Sequence, residues 1–249
     1  MDTLASLSPE HTRLIVKLDS NSELTGAEKR AIGALRLTIR TYGADQDVVR
    51  DGDRVDRCCL LLDGFMHRYK TVQNGARQIM SFHIPGDMPD LQSLYLGRMD
   101  HAVGTLVPSR VAFVSHAAVQ ELAREFPGIG AALWRDTLID SAVFREWIVN
   151  VGRRSAIQRI SHLLCELYLR FKVVGLAGNA SFSLPLTQAE IGDATGLSTV
   201  HVNRTLQELR ADGLIASQGK IVQILNWTGL QHISGFDQTY LHFRSRGQT

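Results

Sequence analysis

Much of what marks an enzyme, a secreted protein or a membrane protein is missing from these 249 residues. Cysteine is scarce: Cys58, Cys59 and Cys165 form neither a disulfide framework nor a zinc-ligand spacing. No apolar run approaches the roughly 20 residues that span a bilayer. Leu14-Ile15-Val16 lies beside charges and is too short for a signal-peptide core, so a cytoplasmic protein without a membrane partner is expected. No P-loop, dinucleotide-binding glycine motif or nucleophile elbow appears. The histidines at 67, 83, 101 and 116 stand apart, without the clustered ligands of a metal-dependent roll enzyme. Neither a catalytic residue nor a metal site is expected. Net charge is only +2, but residues 151–249 hold ten Lys and Arg against six Asp and Glu. A mildly basic C-terminal part fits phosphate neutralisation. The length suffices for two domains with cores of their own.

What is present is concentrated between Leu186 and Leu209. Thr187 and Glu190 have the spacing of a capping box, which predicts a helix start there. Gly196 sits where the chain must reverse, and Ser198 can cap a second helix. On that helix Val202, Leu206 and Leu209 fall within one arc, its buried side. Val200, Asn203, Arg204 and Gln207 lie opposite. Arg bonds guanine in bidentate fashion, Asn and Gln read adenine, and Val touches a thymine methyl, so this face suits the DNA major groove. Beyond Asp212-Gly213, two strands surround a turn at Gln218-Gly219-Lys220, a wing whose tip can meet a phosphate.

The order T-Q-A-E-I-G-D-A-T-G-L-S-T-V-H-V-N-R-T-L, followed by D-G-L-I and S-Q-G-K-I, resembles the winged helix of Crp/Fnr-type bacterial transcription regulators from about Ser155 to Leu225. The resemblance implies base reading by Thr199, Val200 and Arg204, and phosphate contacts by Ser198, His201 and Lys220. Thr187, Gln188 and Gly219 complete the expected double-stranded DNA surface. Thr199-Val200 stands where the cyclic-AMP receptor has Arg-Glu, which leaves the operator sequence open.

Upstream, turn signals recur between Leu37 and Val114, with glycines at 64, 75, 86 and 97 spaced eleven apart. Apolar segments such as Cys59–Leu62, Phe65–Tyr69, Gln78–Phe82 and Arg110–Val114 predict the strands of a sandwich or roll. It looks like the double-stranded β-roll of cyclic-nucleotide-binding domains. By that likeness a phosphate is held by a Gly-Glu turn and an Arg-Ser pair. Here Pro89-Asp90-Leu91 and His101-Ala102 stand in those places, a degenerate pocket from which cyclic AMP is not expected. The iron–sulfur regulators of the Crp/Fnr family carry a cysteine cluster near the N-terminus. By that likeness an iron–sulfur cluster is not expected either, because no cysteine precedes Cys58 and four thiolates are usually required. Haem has conceivable ligands in His67, His83, His101, Cys58, Cys59 and Met88, and the effector is left unidentified. Of the adjacent cysteines, one is expected to face inward and one outward.

A long helix is predicted from about Ile129 to Val151. Leu133, Thr137, Ser141, Phe144, Ile148 and Val151 form a stripe that predicts a two-fold dimer, with Trp147 near the axis. Gly152-Arg153-Arg154-Ser155 then reads as a hinge, and Arg153, Arg154 and Arg159 as phosphate contacts or partners of Glu146. The expected fold is α+β: an antiparallel β-roll sensor (1–127), a dimerisation helix with hinge (128–154), a winged helix-turn-helix (155–226) and a helical tail (227–249). The function these imply is a homodimeric regulator reading a palindromic operator and, as an activator, meeting RNA polymerase. The alternative is a haem- or small-molecule-binding roll whose helix-turn-helix mediates protein contacts.

Overall fold

The computed structural model describes residues 7–244. Residues 1–6, at the start of the expected sensor segment, and residues 245–249 of the expected tail lie outside the described residues. Two compact units emerge. One holds the chain up to Arg68, Phe82–Ser141 and the end from Leu241; the other holds Tyr69–Ser81 and Ala142–Tyr240.

In the first unit, α1 (Pro9–Asp19) starts with proline in its first turn, where the missing N–H costs nothing. α2 (Gly26–Gly33) starts on the capping box of Thr25 and Glu28. Seven strands follow: β1 (Thr38–Tyr42), β2 (Asp47–Val49), β3 (Arg57–Asp63), β4 (Met66–Thr71), β5 (Arg77–His83), β6 (Ala102–Thr105) and β7 (Ser109–Ser115). They form one sheet in the order β1-β7-β3 and another in the order β2-β6-β4-β5. Gly64, with φ at +101°, turns β3 into β4; a Cβ there would stand 2.2 Å from Ser109 Oγ.

Cys58 and Cys59 are both fully buried, which corrects the expectation that one faces outward. β3 has cover on each side. Cys58, Leu60 and Leu62 join a core with α1, α2 and the later helices, whereas Cys59 and Leu61 join the roll's interior with Met66, Val103 and Val111. Burial pushes both thiols up, away from thiolate chemistry.

Beyond α3 (His116–Glu125) runs α4 (Pro127–Arg153), the long helix of the sequence. The chain itself already covers part of the stripe expected at a dimer seam. Leu133 belongs to the first unit's own core, and Trp147 is 6% exposed, its indole N–H donating to Glu166 at 3.0 Å. Thr137, Ser141, Phe144 and Val151 are half-buried. The apolar residues left on the surface are Trp134, Leu138, Ile148 and Val149, with Ile148 at 69% and Trp134 at 64%. Positions 134, 138, 141, 145 and 148 alternate in steps of four and three, a narrower stripe than the one read from hydrophobicity alone.

The second unit is built on α5 (Ala156–Val173). α6 (Gln188–Thr195) and α7 (Thr199–Ala211) form its helical hairpin. The sheet orders β10 (Ile215–Gln218), β11 (Ile221–Ile224), β9 (Ser181–Ser183) and β8 (Ala177–Gly178). Strands β8 and β9 have no counterpart in the sequence reading. They are two and three residues long, and their turn is Asn179-Ala180, both at positive φ, so no glycine announces it. α8 (Trp227–Ser234) ends the unit's regular elements, with a short 3-10 turn at Gln238–Leu241.

Candidate nucleic-acid interface

The helical hairpin is fixed by local chemistry before any long-range packing. Thr187 Oγ1 accepts the Glu190 N–H at 3.2 Å, and Glu190 Oε2 accepts the Thr187 N–H at 2.6 Å. Gly196 closes α6 in the left-handed region at φ +68°. Gly192 permits the sharp turn: a Cβ there would stand 2.5 Å from the Leu197 carbonyl oxygen. Ser198 Oγ then accepts the His201 N–H, starting α7.

Val202 and Leu209 are fully buried, with Thr205 beside them, while Leu206 is only half-buried at the margin. That anchoring turns the opposite face outward. Thr187, Gln188, Ser198, Thr199, Val200, Arg204 and Gln207 are exposed, and His201 and Asn203 are half-exposed. Val200, at 77%, is an apolar side chain with no reason in the chain's own core to be there. Among the described residues, no carboxylate pairs with Arg204. Gly219 and Lys220 form the exposed tip of the β10–β11 hairpin, whose pairing closes at Gln218 and Ile221. Each residue anticipated from the sequence for this surface is thus at least half-exposed, on α6, on α7 or at the hairpin tip.

The three hinge arginines do not behave alike. Arg154 pairs with Glu146, and Arg159 donates to the carbonyls of Arg154 and Thr195, both at 2.8 Å, so these two hold the helices rather than face a duplex. Arg153 is exposed. Two contacts escaped sequence reading. Arg77, on β5, donates to Asp193 of α6 at 2.8 Å, joining residues 116 positions apart. Glu166, fully buried on α5, accepts from Trp147, Tyr240 and Arg170, with its carboxyl pushed up by burial. His162, one turn earlier, stacks on Tyr240 and is held neutral, its pKa lowered to about 3 by burial and by Arg154. Helical periodicity places a Glu and a His on the inner face of α5, and that misfit with an apolar stripe was the available signal.

In the first unit, the degenerate pocket residues Pro89, Asp90, His101 and Ala102 are all buried. Most of their polar groups are engaged by neighbours, although Asp90 Oδ2 is buried without a hydrogen-bond partner. Arg68 Nε donates to the Pro89 carbonyl at 2.6 Å, and the same guanidinium pairs with Asp140. Asp90 Oδ1 accepts the Cys59 N–H at 2.8 Å, and His101 Nδ1 lies 2.6 Å from Asp100. Arg68 was not anticipated; a lone cation within the strand Phe65–Tyr69 was its only trace. His67, His83 and Met88 are buried too, and burial brings His83 down to about 4. Among the described residues, no group of three or more His, Cys, Asp or Glu is arranged to hold a metal ion, and no helix is long and apolar enough to cross a membrane.

Comparison with known proteins agrees with this layout. The family model for Crp-like helix-turn-helix domains matches residues 158–233, and that for cyclic nucleotide-binding domains matches residues 39–126. The transcriptional activator protein FnrL of Cereibacter sphaeroides is 29% identical over 189 residues, 73% of each chain. The transcriptional activator protein Anr of Pseudomonas protegens is 26% identical over 230 residues, covering 92% of this chain and 91% of its own. The solved structure of FixK2 from Bradyrhizobium japonicum shares the fold, with a TM-score of 0.72 at 24% identity over 80% of this chain and 98% of that one.

Proposed function

The chain is a Crp/Fnr-type DNA-binding transcription regulator, and from that premise we propose that it works as a homodimer reading a palindromic operator, under control of its N-terminal roll. The observation that carries the reading is the division of α7: Val202 and Leu209 buried, Val200, Arg204 and Gln207 presented outward. We assign 1–127 to the sensor, 128–154 to the dimerisation helix and hinge, 155–226 to the reader and 227–249 to the tail. Trp134, Leu138 and Ile148 supply the apolar seam on α4 that a second copy would cover. Two recognition helices of such a dimer would stand about 34 Å apart, one turn of DNA. The relatives named above are activators; acting as one, this chain would also meet RNA polymerase.

Control by cyclic AMP is not part of the reading. A cyclic phosphate needs a cation and several donors, whereas Asp90 offers a carboxyl and Arg68 is already committed to Asp140 and to the Pro89 carbonyl. An effector must instead favour one of two arrangements of the chain, whatever its chemistry. The test is a salt titration of affinity for an operator selected from random duplexes. Phosphate contacts give a steep inverse dependence of log affinity on log salt. A flat dependence with no selected sequence would mean that the helix-turn-helix serves protein contacts.

A further inference from the structure

A groove of about 560 Å³ lies in the first unit, where the 3-10 turn Leu91–Leu94, α3 and the start of α4 meet. Leu91, Leu94, Val119, Ala123 and Leu133 form its walls, and no charged side chain lines it. Three of its residues stay open to solvent: Tyr95 at 81%, Leu96 at 53% and Trp134 at 64%. Leu138, one helical turn beyond Trp134, is exposed too. Among the described residues of this unit, Ile39 is the one other large apolar side chain left on the surface. Exposed apolar side chains gathered around a hollow mark a surface that another surface covers.

Continuity with the α4 seam identifies that other surface. The exposed stripe that includes Trp134 and Leu138, followed one turn back, reaches Gly130, which also lines the groove. Gly130 brings no side chain to the stripe. A Cβ there would stand 3.3 Å from the Ala123 carbonyl oxygen, so α3 lies close behind it. Helical side chains lean toward the N-terminus of their own helix. In a parallel pair of α4 helices, a Trp134 ring from across the seam therefore reaches back to the gap at Gly130. A two-fold contact must be complementary to itself, and this patch carries both a projecting ring and a hollow to take it.

We propose that the groove seats a second copy of this chain, each copy laying its Trp134 indole over the other's Gly130, between the Leu94–Leu96 segment and α3. The inference rests on the two-fold dimer proposed above and adds to it a contact outside α4. An indole suits an uncharged hollow, and tryptophan is prominent among the residues that dominate interface energetics. The contact also bears on control. Pro89-Asp90-Leu91 stands where the phosphate-holding turn is expected, and Leu91 is a wall of the groove. A change in the roll that moves this stretch thus moves part of the dimer contact with it.

Sedimentation of the full chain and its variants tests the proposal. Tyr95→Glu and Leu96→Glu lie off α4 at exposed positions and put a charge on the groove's rim. Each should weaken dimerisation at least tenfold with helix content unchanged. Leu138→Glu reports on the α4 seam alone. If it yields monomer while both rim variants dimerise like the parent, the groove proposal is overturned and the dimer reading stands. If Leu138→Glu dimerises like the parent, the reading of the seam fails, and the proposal with it. Acrylamide quenching, taken as the difference between the parent and Trp134→Phe, follows the ring directly and decides if a rim variant does not fold. Trp134 should be shielded in the parent dimer and open in the Leu138→Glu monomer. A ring quenched equally in both overturns the proposal. So does a ring shielded in the monomer too, as a bound small molecule would make it.

Discussion

At the scale of single residues, position decides what a charge does. Arg159 and Arg204 are both arginines of the second unit, yet one is locked onto two backbone carbonyls and the other reaches into solvent unpaired. Arg204→Ala should therefore leave the melting temperature nearly unchanged while weakening operator binding by about 1–3 kcal/mol. Fluorescence anisotropy against operator and scrambled duplexes checks it; equal loss on both would make Arg204 a phosphate contact. Gly192 has the opposite character, structural and silent toward DNA chemistry. With a Cβ placed 2.5 Å from the Leu197 oxygen, Gly192→Ala must open the turn, at a cost of about 1–3 kcal/mol, visible in thermal unfolding.

Among the elements, α4 shows how a helix with two apolar sides divides its duties. Leu133 and Trp147 are consumed by the chain's own interior, and Trp134, Leu138 and Ile148 remain. Leu138→Glu adds a charge to the exposed seam without entering the core. It should shift the protein from dimer to monomer in analytical ultracentrifugation at micromolar concentration and leave helix content intact. An unchanged sedimentation coefficient would place the dimer contact elsewhere. Leu133→Glu, by contrast, would unfold the first unit, because it buries a charge in a packed core.

Across the whole molecule, buried titratable groups pull stability in opposite directions with pH. His162 titrates at about 3 when folded and near 6.5 when unfolded, so acid is taken up first by the unfolded chain. Its contribution is complete above roughly pH 6.5 and falls by up to about 1.4 kcal/mol per pH unit below that. Asp90 works the other way. Burial raises it to about 6, so its contribution is present near pH 4 and lost as pH climbs through 6. His162→Phe removes the first slope and keeps the second. The melting-temperature advantage of the parent chain over this variant should thus shrink between pH 7 and pH 5; a constant gap would mean that His162 is not buried neutral.

The sequence by itself determined the elements whose causes are local. Thr187 with Glu190, Gly196 and Ser198 specify the helical hairpin through caps and one left-handed residue, and the seven-residue spacing of Val202 and Leu209, two helical turns, settles which face is turned outward. The recurring glycines likewise announce the roll. Only the tertiary structure decided which apolar stripe of α4 is already covered, that both Cys58 and Cys59 are enclosed, and that Arg68, Glu166 and Asp90 lie in the interior. Periodicity reports that a face is apolar, but not what lies against it, and a buried charge is acceptable only where partners distant in sequence converge on it. Arg68 meets Asp140 across 72 positions and Glu166 meets Tyr240 across 74. Such pairings arise when the chain closes on itself, so no local pattern carries them.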